Sequence, residues 1–308
     1  MQERPHLFDE NQLGPRRDRA MRLGYSGGAG FLVREVARGI AERVADVKRD
    51  FPRMALVGTG AGIIGGALRP GGAGLVQLDP SKAMAGAAAA DLPDAVTRLL
   101  AGDVLDLAPG AADLAVSALV LHWLNDPVGH LVQLRRALKT DGLMIVALFG
   151  GRTLAELRSC LAEAEAEICG GLSPRVAPMG EIRELGALLQ RAGFAMPVAD
   201  SDCFDVSYTS ALDLMRELRA MGETNILAGR RRVPMRRDVL ARAGELYARH
   251  FPVGDGRVRA TFEIVYLTGW APGPGQPKPL RPGSARARLA DALGTEERPA
   301  GEKTRPGD

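Results

Sequence analysis

Between the apolar run Met54–Val57 and a helical stretch ending near Pro70 lies Gly58-Thr59-Gly60-Ala61-Gly62. Alternating glycines at a strand-to-helix junction leave few folds open. Glycine reaches backbone conformations closed to other residues and lets a ligand approach the main chain closely. The helix start that follows adds free amide donors. A plain tight turn would satisfy the same spacing without a ligand. Shifted by two residues, Gly60-x-Gly62-x-x-Gly65 also fits the dinucleotide fingerprint, so the loop alone does not separate one nucleotide cofactor from another.

The flanking segments fix the architecture. Val33, Val36, Ile40, Val44 and Val47 recur at helical spacing, and Phe51-Pro52 ends that helix. Short apolar runs at Met54–Val57, Leu75–Leu78, Val96–Leu100, Leu114–Leu119 and Leu143–Leu148 read as strands, with helices between them. Asp126-Pro127 supplies an N-cap and a proline at the first helical position. Such alternation predicts an α/β fold, a doubly wound Rossmann-like sheet with ligands beyond the carboxyl ends of its strands. Past Gly150 the pattern turns helical. Thr153-x-x-Glu156 reads as a capping box opening a helix to about Ile168. Further helices are expected near Ile182–Ala192, Ala211–Met221 and Asp238–His250, and strands at Phe204–Tyr208 and Arg259–Leu267. The expected organisation is a polar arm over 1–28, one domain over 29–270 and a disordered tail over 271–308. Within the domain, the core spans 51–150 and helical cap elements span about 151–192 and 210–250.

Composition narrows the class. The 308 residues are 46% hydrophobic, enough for a full core, and 40 basic residues stand against 37 acidic ones. That balance does not favour nucleic acid, whose partners cluster positive charge. Cys160, Cys169 and Cys203 have no metal-ligand spacing, so neither a disulfide framework nor a metal site is expected. The polar N-terminus has no apolar signal core, and no run approaches the roughly 18 apolar residues of a membrane span. These features read as a cytoplasmic protein, with peripheral membrane association left open.

Three segments near the loop identify the cofactor class. Leu78-Asp79-Pro80-Ser81-Lys82-Ala83-Met84 ends the second strand. It resembles the Asp-x-Ser-x-x-Met junction of class I S-adenosylmethionine-dependent methyltransferases, where the acid holds the ribose hydroxyls. The plainer alternative makes Asp79 only the N-cap of the next helix. Gly102-Asp103-Val104 resembles the stretch that meets adenine. Leu121-His122-Trp123-Leu124-Asn125-Asp126-Pro127 is similar to the LHWxND motif shared by the malonyl carrier-protein methyltransferases of biotin synthesis and a mitochondrial complex I assembly factor. Phe149–Arg158, Gly170–Arg175 and Ala220–Asn225 resemble the assembly factor further. The resemblance runs from about Leu7 to Trp270.

The resemblance implies a class I methyltransferase fold that binds S-adenosylmethionine through Gly58, Thr59, Gly60, Gly62, Asp79, Asp103 and Val104. It implies a protein acceptor, a respiratory complex I subunit, met by Trp123, Glu223 and Asn225. In that family the mitochondrial member is regarded as a protein-arginine hydroxylase, so methylation, hydroxylation and a non-catalytic assembly role all stay open. An NAD-dependent oxidoreductase is argued against by Asp79-Pro80-Ser81 and the LHWLNDP segment. One position departs from the pattern. The family acid two residues before the first glycine is Leu56 here, and a leucine cannot accept the hydrogen bond of the cofactor's ammonium group.

His122 is the one candidate general base near the loop. Methyl transfer asks little of a base, because the cofactor is already activated. An iron-dependent hydroxylase would want two histidines and a carboxylate, and the sequence displays no such grouping. Arg230-Arg231-Arg232 with Arg236-Arg237 reads either as a solvated helix end or as a docking surface for an acidic partner.

Overall fold

Successive side chains of β1 (Met54–Val57) enter opposite cores. Leu56 packs on one face of the sheet and Ala55 and Val57 on the other, and all are buried. A strand covered on both faces can be apolar throughout, which is why the short runs of the sequence were legible as strands. The computed structural model describes residues 6–25, 27–69, 72, 74–276 and 294.

The seven-stranded sheet also contains β2 (Leu75–Asp79), β3 (Val96–Leu99), β4 (Ala112–Ala118), β5 (Leu138–Phe149), β6 (Ala195–Tyr208) and β7 (Val258–Trp270). Its order is β3-β2-β1-β4-β5-β7-β6. The first five strands run parallel; β7 pairs antiparallel with both β5 and β6. The strand order reverses between β1 and β4, and the glycine loop lies at that reversal.

Helices cover both faces. One layer holds α2 (Phe31–Asp46), α6 (Ala155–Cys169), α8 (Ala211–Met221) and α9 (Arg237–His250), which contribute Ile40, Leu161, Leu214 and Tyr247 to the larger core. The other holds α5 (Pro127–Ala137) and α7 (Ile182–Arg191), with Leu131, Leu134, Leu185 and Leu189 packed against Met144, Val146 and Leu267. Each fully buried leucine or isoleucine contributes about 1.5–3 kcal/mol. After β1, α3 (Ile63–Leu68) follows the loop; α4 (Lys82–Asp91) follows β2, capped by Ser81. Asp126 caps α5 by accepting from the Gly129 amide, as the sequence indicates.

Three expectations change. The arm contains a helix, α1 (Leu13–Arg22), that buries Leu13, Arg17 and Ala20. Thr153 and Glu156 do not form a capping box: Leu154, with φ +55°, occupies the N-cap without a side-chain hydrogen bond. The Thr153 hydroxyl instead exchanges hydrogen bonds with the Glu263 backbone, and Glu156 accepts from Thr261, tying α6 to β7. Finally, β6 begins at Ala195, because its edge position leaves its residues largely exposed and without an apolar pattern. Ala271 is buried. The rest of the expected disordered tail, apart from Pro272–Gln276 and Gly294, lies outside the described residues. Among the described residues no helix is long and apolar enough to cross a membrane.

Candidate functional site

The glycine loop has the backbone its sequence demands. Gly58 sits at φ +85° with its amide on the Leu78 carbonyl, and a Cβ there would come 2.2 Å from the Ala118 carbonyl oxygen. The loop is thus pressed against the end of β4 and admits no side chain.

Asp79 closes the loop from below. One carboxylate oxygen accepts from the Thr59 amide and hydroxyl, both at 2.8 Å, and the other accepts from the Ser81 amide at 2.8 Å. The residue is 0% exposed. Ser81, rather than Asp79, caps α4, its Oγ accepting from the Met84 amide.

The arm packs against the segments that follow β2 and β4. Phe8 exchanges backbone hydrogen bonds with the Asn125 side chain, and its ring stands edge-on to Trp123 at 5.5 Å. Glu10 accepts from the Asn125 amide. Gly14 backs onto Pro80 so closely that a Cβ would lie 2.4 Å from its carbonyl oxygen. Asp18 accepts from the Ser81 hydroxyl and the Ala83 amide at 2.6 and 2.9 Å. Arg17 donates to the carbonyl of Leu119, just past β4, and stands 3.7 Å from Glu223.

In this arrangement the carboxylate expected to meet S-adenosylmethionine is engaged by the protein's own groups. Asp79 has no exposed oxygen for a ribose, and Leu56 is fully buried and offers no acceptor. The cavity lined by Gly102 and Asp103 is about 30 Å³. Asp103 and Val104 are exposed, Val104 to 72%, and Asp103 meets Gln133 through its carbonyl. The residues expected to hold the cofactor, Gly58, Thr59, Gly60, Gly62, Asp79 and Asp103, do gather at neighbouring strand ends. The arm packs beside them, on Pro80, Ser81 and Ala83 after β2 and on Leu119 after β4.

The large cavity lies one step away. About 920 Å³ in volume, it opens between α1, α6 and α8 and reaches the ends of β4 and β5 at Trp123 and Phe149. Glu223 and Asn225 also line it. The Trp123 indole donates to Glu223 at 2.7 Å, and the His122 Nε2 lies 3.4 Å from the same oxygen. Burial works to raise the Glu223 pKa. The hydrogen bonds from His122 and Trp123 and the charge of Arg17 outweigh it and hold the carboxyl below its usual range. Burial pushes His122 down, against the pull of Glu223, so the site holds a carboxylate beside a neutral imidazole. The His122 side chain is 2% exposed and packs behind Glu223 on Phe149, outside the cavity wall. Asn225 accepts from the Leu227 amide of its own loop and donates to the Pro174 carbonyl of the loop after α6.

Sequence reasoning missed Arg17 and Asp18. The signal was present: Leu13, Arg17 and Ala20 fall at i, i+4 and i+7, so the arginine sits on the buried stripe of its helix. Among the described residues no group of three or more His, Cys, Asp or Glu could hold a metal ion.

A methyltransferase-domain family model matches residues 56–146, from β1 to β5. The chain is 36% identical to the mitochondrial arginine-hydroxylase NDUFAF5 of Danio rerio over 288 residues, covering 93% of this chain and 89% of the relative. The chain belongs to the NDUFAF5 family. The human NDUFAF5 protein is 35% identical over 93% of this chain and 83% of its own. Similarity extends to the malonyl-[acyl-carrier protein] O-methyltransferase of Laribacter hongkongensis, 34% identical over 79% of this chain and 84% of that one. This NDUFAF5-family chain therefore shares its methyltransferase domain with proteins named for two different reactions. Its fold is that of class I methyltransferases. A methyltransferase structure from Bacillus halodurans matches at TM-score 0.51, with 14% identity and coverage of 75% and 98%. The [4+2]-cyclase SpnF matches at 0.53, with 17% identity and coverage of 87% and 98%. The expectation of a cytoplasmic protein is overturned by the same relatives, which are mitochondrial.

Proposed function

We propose that this chain modifies a protein side chain during respiratory complex I assembly, and that the side chain is an arginine received in the cavity beside Glu223. One observation carries the reading: a buried carboxylate, held anionic by Trp123, His122 and Arg17, borders a cavity at the carboxyl ends of the central strands. A guanidinium pairs with a carboxylate through parallel hydrogen bonds, and water exclusion strengthens them. The names of the NDUFAF5 relatives support arginine as the acceptor and hydroxylation as the reaction, in which molecular oxygen would give one atom to the side chain and the other to water with two electrons from an external reductant. Trp123 would wall the acceptor, Glu223 would orient it and His122 would position Glu223. The malonyl-carrier relative and the methyltransferase domain support the alternative outcome, methylation with S-adenosylmethionine as donor.

A non-catalytic assembly role is the second reading, favoured by the closed loop around Asp79 and by Leu56. Peptide mass spectrometry of complex I subunits from deletion and complemented strains separates all three. An arginine heavier by one oxygen in the complemented strain alone supports hydroxylation, and one heavier by one methylene supports methylation. Identical subunits in both strains, with complex I still lost on deletion, would leave only the non-catalytic role.

A further inference from the structure

The large cavity is charged out of proportion to the chain that builds it. Basic and acidic residues nearly balance overall, yet the cavity is lined by seven arginines against two carboxylates, Asp9 and Glu223. Arg175 is paired with Glu165, and Arg230 with Asp9. Among the described residues Arg16, Arg19, Arg219, Arg231 and Arg232 have no carboxylate within ion-pair distance. They come from separate segments, α1, α8 and the loop after α8, so no single helix end accounts for them.

Arg16 shows the strain of this gathering. Its Nε is buried without a hydrogen-bond partner. Burial lowers its pKa, and the neighbouring charges of Arg230, Arg19 and Arg219 lower it further, with only Asp9 opposing. Like charges are costly to hold together unless a partner of opposite sign completes them. Beneath the arginines the wall is apolar, with Phe149, Leu157, Leu161, Met215 and Phe262.

We infer that this arginine rim binds an acidic polypeptide segment, whose carboxylates flank the side chain delivered to the cavity. The charge pattern names the partner's chemistry: a cation-accepting carboxylate on the floor, surrounded by carboxylate-accepting guanidiniums at the mouth. Arginine serves such a rim because its planar fork binds a carboxylate through two bonds. An isolated arginine would meet repulsion on entry; one carried between acidic residues would be drawn in. The inference rests on the acceptor-site reading of the cavity, and it is tested by binding alone, without turnover.

Fluorescence anisotropy with the full chain decides it. The probes are two labelled peptides with a central arginine, one flanked by Asp and Glu and the other by Asn and Gln. The acidic peptide is expected to bind about tenfold more tightly at low salt, and the advantage should shrink as salt rises. The doubly substituted Arg16→Gln, Arg219→Gln protein should lose that advantage, and Arg16→Lys, Arg219→Lys should recover part of it, with melting temperature confirming that each variant folds. Equal affinity for the two peptides overturns the inference. So does an unchanged preference in the glutamine variant, or displacement of the acidic peptide by inorganic phosphate at equal concentration. Charge-dependent binding without any modified arginine in the strain comparison would sink the enzymatic reading and leave this one standing.

Discussion

Arg17 of α1 and Glu223, two residues past α8, lie 3.7 Å apart with both side chains more than nine-tenths buried. The pair joins the N-terminal arm to the floor of the large cavity, and breaking it leaves a buried charge on the other side. Arg17→Met should therefore cost about 3 kcal/mol, the usual penalty for orphaning one member of a buried pair. Denaturant unfolding measures it; a loss below about 1 kcal/mol would mean that Trp123 and His122 suffice to hold the carboxylate.

Glu223→Gln keeps an oxygen for the Trp123 indole and removes only the charge. The variant is expected to melt at a lower temperature, because buried Arg17 loses its charged partner, yet to fold and fail to support the arginine modification in a complemented strain. Retained modification would move the acceptor contact elsewhere.

Asp18 clasps the arm to the start of α4 through the Ser81 hydroxyl and the Ala83 amide. Asp18→Ala should free the arm, raising S-adenosylmethionine affinity several-fold, because binding no longer opposes closure. Calorimetry of wild type and variant reads this directly. Unchanged or weaker binding would show that the arm is not what shuts the loop.

His130 is buried against Ser117, its Nε2 3.0 Å from the hydroxyl, and burial pushes its pKa down to about 4. An unfolded chain binds this proton near the ordinary value of about 6.5. The contribution is complete above that value and is lost as pH falls toward about 4, where the folded protein also takes up the proton. His130→Gln should flatten the fall in stability across this window, by up to roughly 3 kcal/mol at its acid end. Urea titrations at several pH values test the slope. His122, also lowered by burial, contributes a fall of the same sign that the substitution leaves in place.

Gly58→Ala must fit a Cβ 2.2 Å from the Ala118 carbonyl oxygen at φ +85°, and should lower stability by about 2 kcal/mol or more. Gly66→Ala is the contrast. It lies inside α3 with open space around it, and should raise stability by about 0.5–1 kcal/mol.

The sheet was legible because burial on both faces writes an apolar run into the sequence, as at Leu143–Leu148. The helical cap was legible from the spacing of Leu214, Leu218 and Met221. β6 was legible only at its Phe204–Tyr208 end, since an edge strand needs no apolar core. The candidate site was legible as a set of addresses. Asp79, Asp103 and Trp123 were placed at strand ends by their motifs, and the structure puts them there. What spacing could not convey is the packing of the arm beside them: its contacts are made by Gly14, Arg17 and Asp18 to residues from 63 to 206 positions away in sequence. Nor could it distinguish Thr153-x-x-Glu156 from a capping box, because the competing partners, Thr261 and Glu263, lie on the last strand.

That last strand has a consequence for how the protein is made. Among the described residues β7 is the last strand in sequence but an interior strand in space, hydrogen-bonded to β5 on one side and β6 on the other. Until Trp270 has left the ribosome, β6 has no partner and β5, paired with β4 on one side, keeps its other edge open beside an unfinished core. A chain stopped before β7 would lose the strand that joins β6 to the rest of the sheet. The nascent protein is therefore most prone to aggregate late in its synthesis, and most dependent then on chaperones.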